Sequence, residues 1–266
     1  MDVGIHDGVP EADYFASPAL SQSQAKTLLD CPARYRWERE NPQPHRDAFD
    51  IGHAAHSKVL GVGAEVVAID VDSRRGKAWT EPADAARAEG KVPLLRKDAD
   101  AVDAMAEAVL AHPMARAILE AEGKAEQTLA WTDLTTEVDL RGRVDWLTTM
   151  ADGTPFLADL KTSRSAEPKD FGKSAINFGY CLQSAWYTTG FEAITGQAAR
   201  FGFIVVEKEP PHFVTVGGLD GTAHDIGERQ MRDAIDIYRR CTETGVWPAY
   251  SDDFITYPSP LSLIHI

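Results

Sequence analysis

The chain has little cysteine, no long apolar run and no excess of positive charge. Its three cysteines, Cys31, Cys181 and Cys241, stand far apart, and none belongs to a CxxC pair. That excludes a disulfide framework and a zinc ribbon, and it leaves too few thiols for a four-cysteine iron–sulfur cluster. Buried or idle thiols in a reducing compartment are the simplest reading. No run of about 18 apolar residues occurs, which excludes a membrane-spanning helix. The first residues, MDVGIHDGVPEADYF, lack the apolar core of a secretory signal, so a cytoplasmic location is expected. Lys and Arg number 27 against 41 Asp and Glu, a net charge of -14. Binding to phosphate usually leaves a basic footprint, so this balance speaks against nucleic acid. A local basic groove inside an acidic shell is still compatible with it.

What is present is enough for one sizeable core: 266 residues with 44% hydrophobic content. Residues 1–18 carry no periodicity and are expected to form an arm. Ser21 is placed to cap a short helix, SQAKTLLDC, and Pro32 to open a second, PARYRWERE. A third helix is expected from about Ala48 to Leu60, with Gly61 ending it. EVVAID (65–70) alternates like a strand, and residues 82–122 read as two or three alanine-rich helices. After Gly123 the pattern changes. KAEQTLAWTD, EVDLRGRVDWLTTM and PFLADLKTS are three strand-like runs, the last two joined by the turn ADGT. Helices near 167–177 and 179–194, two more strands (FGFIVVEK, HFVTVGG) and a helix from about 223 to 244 follow. This order predicts an α/β fold, a mixed central sheet flanked by helices, with a helical N-terminal portion. The expected division is an arm (1–18), a body (19–250; helical to 122, sheet core from 123) and a tail (251–266). The closing LSLIHI completes no pattern and matches a translated sequencing adapter, so it is expected to be non-native.

The strongest chemical signal lies in the meander. Gly142-Arg143-Val144-Asp145 sits on one strand and Asp159-Leu160-Lys161 on the next. If ADGT makes the two a hairpin, Asp145 and Asp159 face each other. Asp159 and Lys161, two residues apart on a strand, share one face. Two carboxylates and an ammonium then converge. Hard oxygen ligands suit magnesium with several waters retained, and such a metal neutralises phosphodiester charge and acidifies bound water. The lysine can orient or deprotonate that water, or stabilise developing charge. The alternative is a surface Asp–Lys pair on an edge strand, worth about 0–1 kcal/mol. Arg143 clustered with Asp145, Asp159 and Lys161 in strand contexts favours the chemical reading.

The run GRVDW…FLADLKTS…FGYCLQSAWYTTGFEAITG resembles the PD-(D/E)XK core of the RecE-like exonucleases of phages and prophages (exodeoxyribonuclease VIII type). That family has an Arg-Pro-Asp strand, an Asp-x-Lys-Thr strand and a helix bearing Gln-x-x-x-Tyr. Asp145, Asp159, Lys161, Thr162, Gln183 and Tyr187 occupy those places, with Val144 where proline is frequent and Asp159 where other members carry glutamate. Gly52, Ala54, His56 and Leu60 match a Gly-x-Ala-x-His-x-x-x-Leu helix, with Gly52, His56 and Leu60 on one face. Without the resemblance a histidine on such a face is usually a packed core residue. The resemblance implies that His56, rather than His53, is a ligand or neighbour of the metal. It implies a metal set of His56, Asp145, Asp159, Leu160 and Glu126, the last in a supporting or second-metal place. It implies that Gln183 supports the attacking water or scissile phosphate, and that Arg143, Thr162 and Tyr187 contact DNA. SQSQAKTLLDCPARYRW also resembles the family's opening, and the likeness covers roughly residues 17–250.

The activity so implied is magnesium-dependent (manganese as substitute) 5′ to 3′ degradation of linear double-stranded DNA from its ends. It would leave 3′ single-stranded tails for recombination, with a single-strand annealing protein as partner. A ring of identical subunits is also implied, with Arg34, Arg36, Arg141, Arg143 and Lys173 placed to line its inside. Three rivals stand beside this reading: a RecB-like nuclease working with a helicase, a catalytically dead DNA-end-binding protein, and a hydrolase of small phosphoesters.

Overall fold

The computed structural model describes residues 1–41 and 50–257. The LSLIHI segment and the expected helix start at Ala48 lie outside the described residues. The first elements are β1 (Gly4–His6), α1 (Glu11–Ala16), β2 (Leu20–Ser21), α2 (Gln22–Asp30) and α3 (Pro32–Glu40). Then come α4 (Asp50–Leu60), β3 (Val66–Ile69), α5 (Lys77–Ala88), β4 (Val92–Leu95), α6 (Arg96–Ala111) and α7 (Pro113–Glu120). The meander is β5 (Gly123–Asp133), β6 (Val138–Thr149) and β7 (Pro155–Ser163). The chain continues through α8 (Pro168–Phe178), α9 (Tyr180–Thr195), β8 (Arg200–Glu207), β9 (Val214–Gly217) and α10 (Gly221–Thr244).

Local chemistry sets many of these boundaries. Ser21 and Gln24 form a reciprocal capping box at α2, and Pro32 opens α3, where a missing N–H costs nothing. Gly179 takes the left-handed conformation that ends α8 and admits α9 at once.

The main sheet is mixed, in the order β1-β5-β6-β7-β8-β9, with β2 pairing parallel to β6. The meander is antiparallel, whereas β7 and β8 are parallel and therefore need the α8–α9 crossover between them. One sheet face packs Leu129, Trp131, Leu140, Val144 and Leu157 against α2, α9 and α10. The other packs Ala158, Leu160, Ile204 and Val206 against α4, α6 and α7. Helix α9 is the central piece, with Gln183 through Tyr187 all buried. It is pressed close on both sides. A Cβ on Gly142 would lie 2.7 Å from the Tyr187 ring, and one on Gly227 of α10 would lie 2.1 Å from the Cys181 carbonyl.

One expectation is corrected. Within the stretch read as all helix, Val92–Leu95 forms β4, which pairs parallel with β3. A four-residue apolar run has no usable periodicity, and its proline argues against a strand. Residues 1–18, expected as an arm without periodicity, carry two short elements that dock on the body. β1 pairs antiparallel with β5, and α1 buries Tyr14.

One irregularity positions the site. Along β6, Val138, Leu140 and Val144 face one core, Trp146 faces the other, and Leu147 returns to the first. Strict alternation would put Trp146 with Val144. The slip falls at Asp145. On β5 the ladder pairs Ala125↔Trp146 and Gln127↔Val144, and between them stands Glu126, with a left-handed φ of 53°. Such backbone strain in a non-glycine residue gathers at functional sites.

Candidate active site

Asp145 and Asp159 lie one step beyond Trp146↔Ala158, the pair that ends the β6–β7 ladder. The Leu160 N–H donates to Asp145 Oδ2 at 2.8 Å, so the β7 backbone itself fixes this carboxylate. His56, from α4, brings Nδ1 within 3.2 Å of the same oxygen. His53, the other candidate on that helix, is exposed. Asp159 is 2% exposed; Gln183 Nε2 donates to its Oδ2 at 2.5 Å and Lys161 forms an ion pair with its Oδ1. Three elements of the second half and one helix of the first thus converge on two carboxylates.

The electrostatics follow from burial. Loss of water raises the Asp145 carboxyl to about 6, and the nearby Asp159 charge adds to the rise. His56, Lys161 and the Leu160 N–H pull the other way without cancelling it. For Lys161, burial opposes the charge, but Asp159 and Asp145 outweigh it and hold the ammonium above the usual lysine value. Lys161 therefore sits here as a cation, and its Nζ lies 4.9 Å from the centre of the Tyr180 ring.

A family profile described as "PDDEXK-like domain of unknown function (DUF3799)" matches residues 21–256. The chain belongs to this PDDEXK-like family. The α/β fold agrees with it. A crystallised protein from Eubacterium rectale, provisionally named an exonuclease, superposes with a TM-score of 0.65 at 12% identity, over 98% of this chain and 100% of that one. At that identity the likeness is one of fold. A second solved structure, SSO0001, gives a TM-score of 0.37 at 14% identity over 82% of this chain and 75% of that one, too low to support an argument. No curated protein sequence matches the chain.

Nucleases of the PD-(D/E)XK type use divalent metals, so the residues present must be tested against one. Among the described residues, no group of three or more His, Cys, Asp or Glu side chains is arranged to hold a metal ion. A magnesium site does not require three, because the ion keeps several waters and takes one or two carboxylates. Asp159 Oδ1 is buried, and the Lys161 ammonium is the one partner found for it among the described residues. A buried acceptor with an unused lone pair beside a second carboxylate fits a hard cation. Asp145, Asp159 and, as a neighbour, His56 would hold it.

The other expected residues are placed less simply. Leu160 contributes its backbone, while its side chain packs in the core under α4 and α6. Glu126 is 40% exposed and lies 3.6 Å from Arg143 Nη1. Arg143 is claimed by the N-terminal segment: it donates to the Val9 carbonyl at 2.9 Å and lies 4.3 Å from the Tyr14 ring. Thr162 is half-buried and paired with Val206. Tyr187, expected at DNA, is instead in the core, 7% exposed, under the Cα of Gly142; burial raises its hydroxyl pKa well above the ordinary value. Arg141, expected on the inner wall of a ring, is 1% exposed and donates to the carbonyls of Ser17 and Ala19, so it is a structural pin. Arg34, Arg36 and Lys173 do lie at the surface, each beside an acidic partner. Sequence reasoning missed Tyr180 beside Lys161, although its i, i+3 relation to Gln183 on α9 was a usable signal.

Proposed function

We propose that the protein is a divalent-metal-dependent nuclease that degrades linear double-stranded DNA from its ends, of the RecE-like kind. The observation that carries the proposal is the desolvated pair Asp145–Asp159 with Lys161 against it. A module that merely held DNA ends would have no use for two like charges kept out of water. When bound, magnesium would neutralise charge on the scissile phosphodiester and acidify a coordinated water.

The chain's own groups do the rest in this reading. Asp145 and Asp159 would hold the ion. Gln183, bound to Asp159, holds that carboxylate in place and, as the resemblance implies, supports the attacking water or scissile phosphate. Lys161, paired with Asp159, is placed to stabilise negative charge on the phosphate oxygens. Water oxygen bonds to phosphorus as the water gives up a proton to solvent, the phosphorus–ester oxygen bond breaks, and the leaving oxygen takes up a proton from solvent. The 5′ to 3′ direction, the 3′ tails handed to an annealing protein, and a ring of subunits rest on the RecE-like resemblance. Enclosure by a ring would let a chain of net charge -14 stay on a polyanion.

The test is a time course on linear duplex labelled separately at each 5′ and 3′ end, with a covalently closed circle alongside. Magnesium should give loss of the 5′ label first and leave the circle intact, and EDTA should stop the reaction. No magnesium-dependent loss of either label from purified protein refutes the proposal. Early loss of the 3′ label or cutting of the circle removes the RecE-like refinement only. Light scattering should give a multiple of 29.1 kDa, and a monomer would remove the ring.

A further inference from the structure

The rim of the carboxylate site carries a surface that the proposed cleavage chemistry does not use. At the end of α8, Ile176 is 63% exposed and Phe178 is 55% exposed, while only Ala175 of that helix is fully buried. Single exposed apolar residues are common and need no explanation. Phe178, however, is joined to the site by an aromatic path. Phe178 lies 6.0 Å from the Tyr180 ring, and that ring lies 4.9 Å from Lys161 Nζ. Laid end to end the two steps reach at most about three nucleotides of a stacked strand, at roughly 3.4 Å each. Gly179, in the left-handed conformation, makes the corner that turns Phe178 outward while Tyr180 turns in.

Charge singles out the same place. In an acidic chain, residues 161–178 carry four basic side chains, Lys161, Arg164, Lys169 and Lys173, against two acidic ones, Glu167 and Asp170. Lys26 of α2 adds its ammonium 6.0 Å from the Phe178 ring. An exposed aromatic face among lysines, contiguous with a phosphate-directed ammonium, has the chemistry of a base-stacking platform. An apolar protein partner would have no need of the cations.

We propose that Phe178, with Lys26 beside it, stacks an unpaired base of the bound DNA strand within about three nucleotides of the scissile phosphate. The inference rests on the nuclease reading. It makes Phe178 a positioning residue that selects frayed or single-stranded ends over closed duplex.

The test is binding by fluorescence anisotropy in calcium, using a duplex with a short single-stranded tail and a duplex closed by hairpins. The unaltered protein, Phe178→Ala, Phe178→Leu and Phe178→Tyr are compared, with magnesium-dependent cleavage by the unaltered protein measured in parallel. Loss of one stacked base predicts that Phe178→Ala weakens binding to the tailed duplex roughly 5- to 150-fold. Binding to the hairpin-closed duplex should not change. Phe178→Leu should behave like Phe178→Ala, and Phe178→Tyr like the unaltered protein, because the face of the ring rather than its apolar area is what matters. Thermal melting checks that each variant is folded. Equal binding of the tailed duplex by Phe178→Ala overturns the inference, as does full rescue by Phe178→Leu. If the unaltered protein still cleaves DNA in that case, the nuclease reading stands alone. If it neither binds nor cleaves DNA, both fall.

Discussion

Replacing Asp145 by asparagine should make the metal-free protein more stable while ending its chemistry. The Asp145 carboxyl is raised from 3.8 to about 6, chiefly by burial and next by the Asp159 charge. A group whose folded pKa lies above its unfolded value favours folding at low pH, and that contribution is lost as pH rises through the folded value. Each unit is worth about 1.4 kcal/mol, so above pH 7 the ionised group costs the fold roughly 3 kcal/mol. Asparagine has nearly the same shape, carries no charge, and its oxygen can still accept the Leu160 N–H. For a chain of this size roughly 3 kcal/mol corresponds to about 6–12 °C in Tm. The assay is thermal melting in EDTA at pH 7.5 and pH 5, then at pH 7.5 with magnesium. Asp145→Asn should melt higher at pH 7.5, and its advantage should fall to about half at pH 5, where much of the aspartate is already neutral. Magnesium should raise the parent and leave the variant where it was. A variant that melts at or below the parent in EDTA at pH 7.5 would refute the claim that these carboxylates are held together at a cost.

Lys161→Ala should lower magnesium-dependent cleavage at least about 10²-fold, the scale of a lost charge-stabilising group; near-normal initial rates on end-labelled duplex would remove Lys161 from the chemistry. His56→Ala should raise the magnesium concentration needed for half-maximal cleavage far more than His53→Ala does, because His56 lies against Asp145; equal, small effects in a magnesium titration would return both to packing. Arg141→Met should destabilise the fold by roughly 2–5 kcal/mol, since it leaves the Ser17 and Ala19 carbonyls without their donor. A urea melt that moves by less than about 1 kcal/mol would show that the N-terminal segment is not pinned this way.

The parts of the fold legible in the sequence were those with a local signature. The ADGT turn between two alternating runs announces the β6–β7 hairpin, and with it the approach of Asp145, Asp159 and Lys161. Ser21 and Pro32 mark helix starts by local chemistry that acts within one turn. What could not be read depended on distant partners. Residues 92–95 become a strand only because β3 lies alongside, and Gly4–His6 only because β5 offers an edge. Arg141 and Tyr187 look like surface recognition groups in sequence, and burial redefines both. The turn of Glu126 into a left-handed backbone has no residue-type signal at all, since glutamate rarely adopts it.

The slip in alternation along β6 also has a use beyond this molecule. A strand that keeps perfect parity can send a side chain only to one face or the other; here Val138, Leu140 and Val144 fill one face up to Asp145 while Arg141 and Arg143 hold the other, and beyond it Trp146 and Leu147 make both faces apolar. By changing parity at Asp145, the strand makes an opening where a carboxylate meets α4 from one side and β7 from the other without displacing either core. The acidic residue is therefore seated at a dislocation, much as a dopant settles at a lattice fault. The trace it leaves in sequence is an apolar run on even positions (Val138, Leu140, Val144) that resumes on an odd one (Leu147), with an aspartate at the change. A search for parity changes at acidic residues within strand-like runs would find such sites in chains whose short motifs have drifted out of reach.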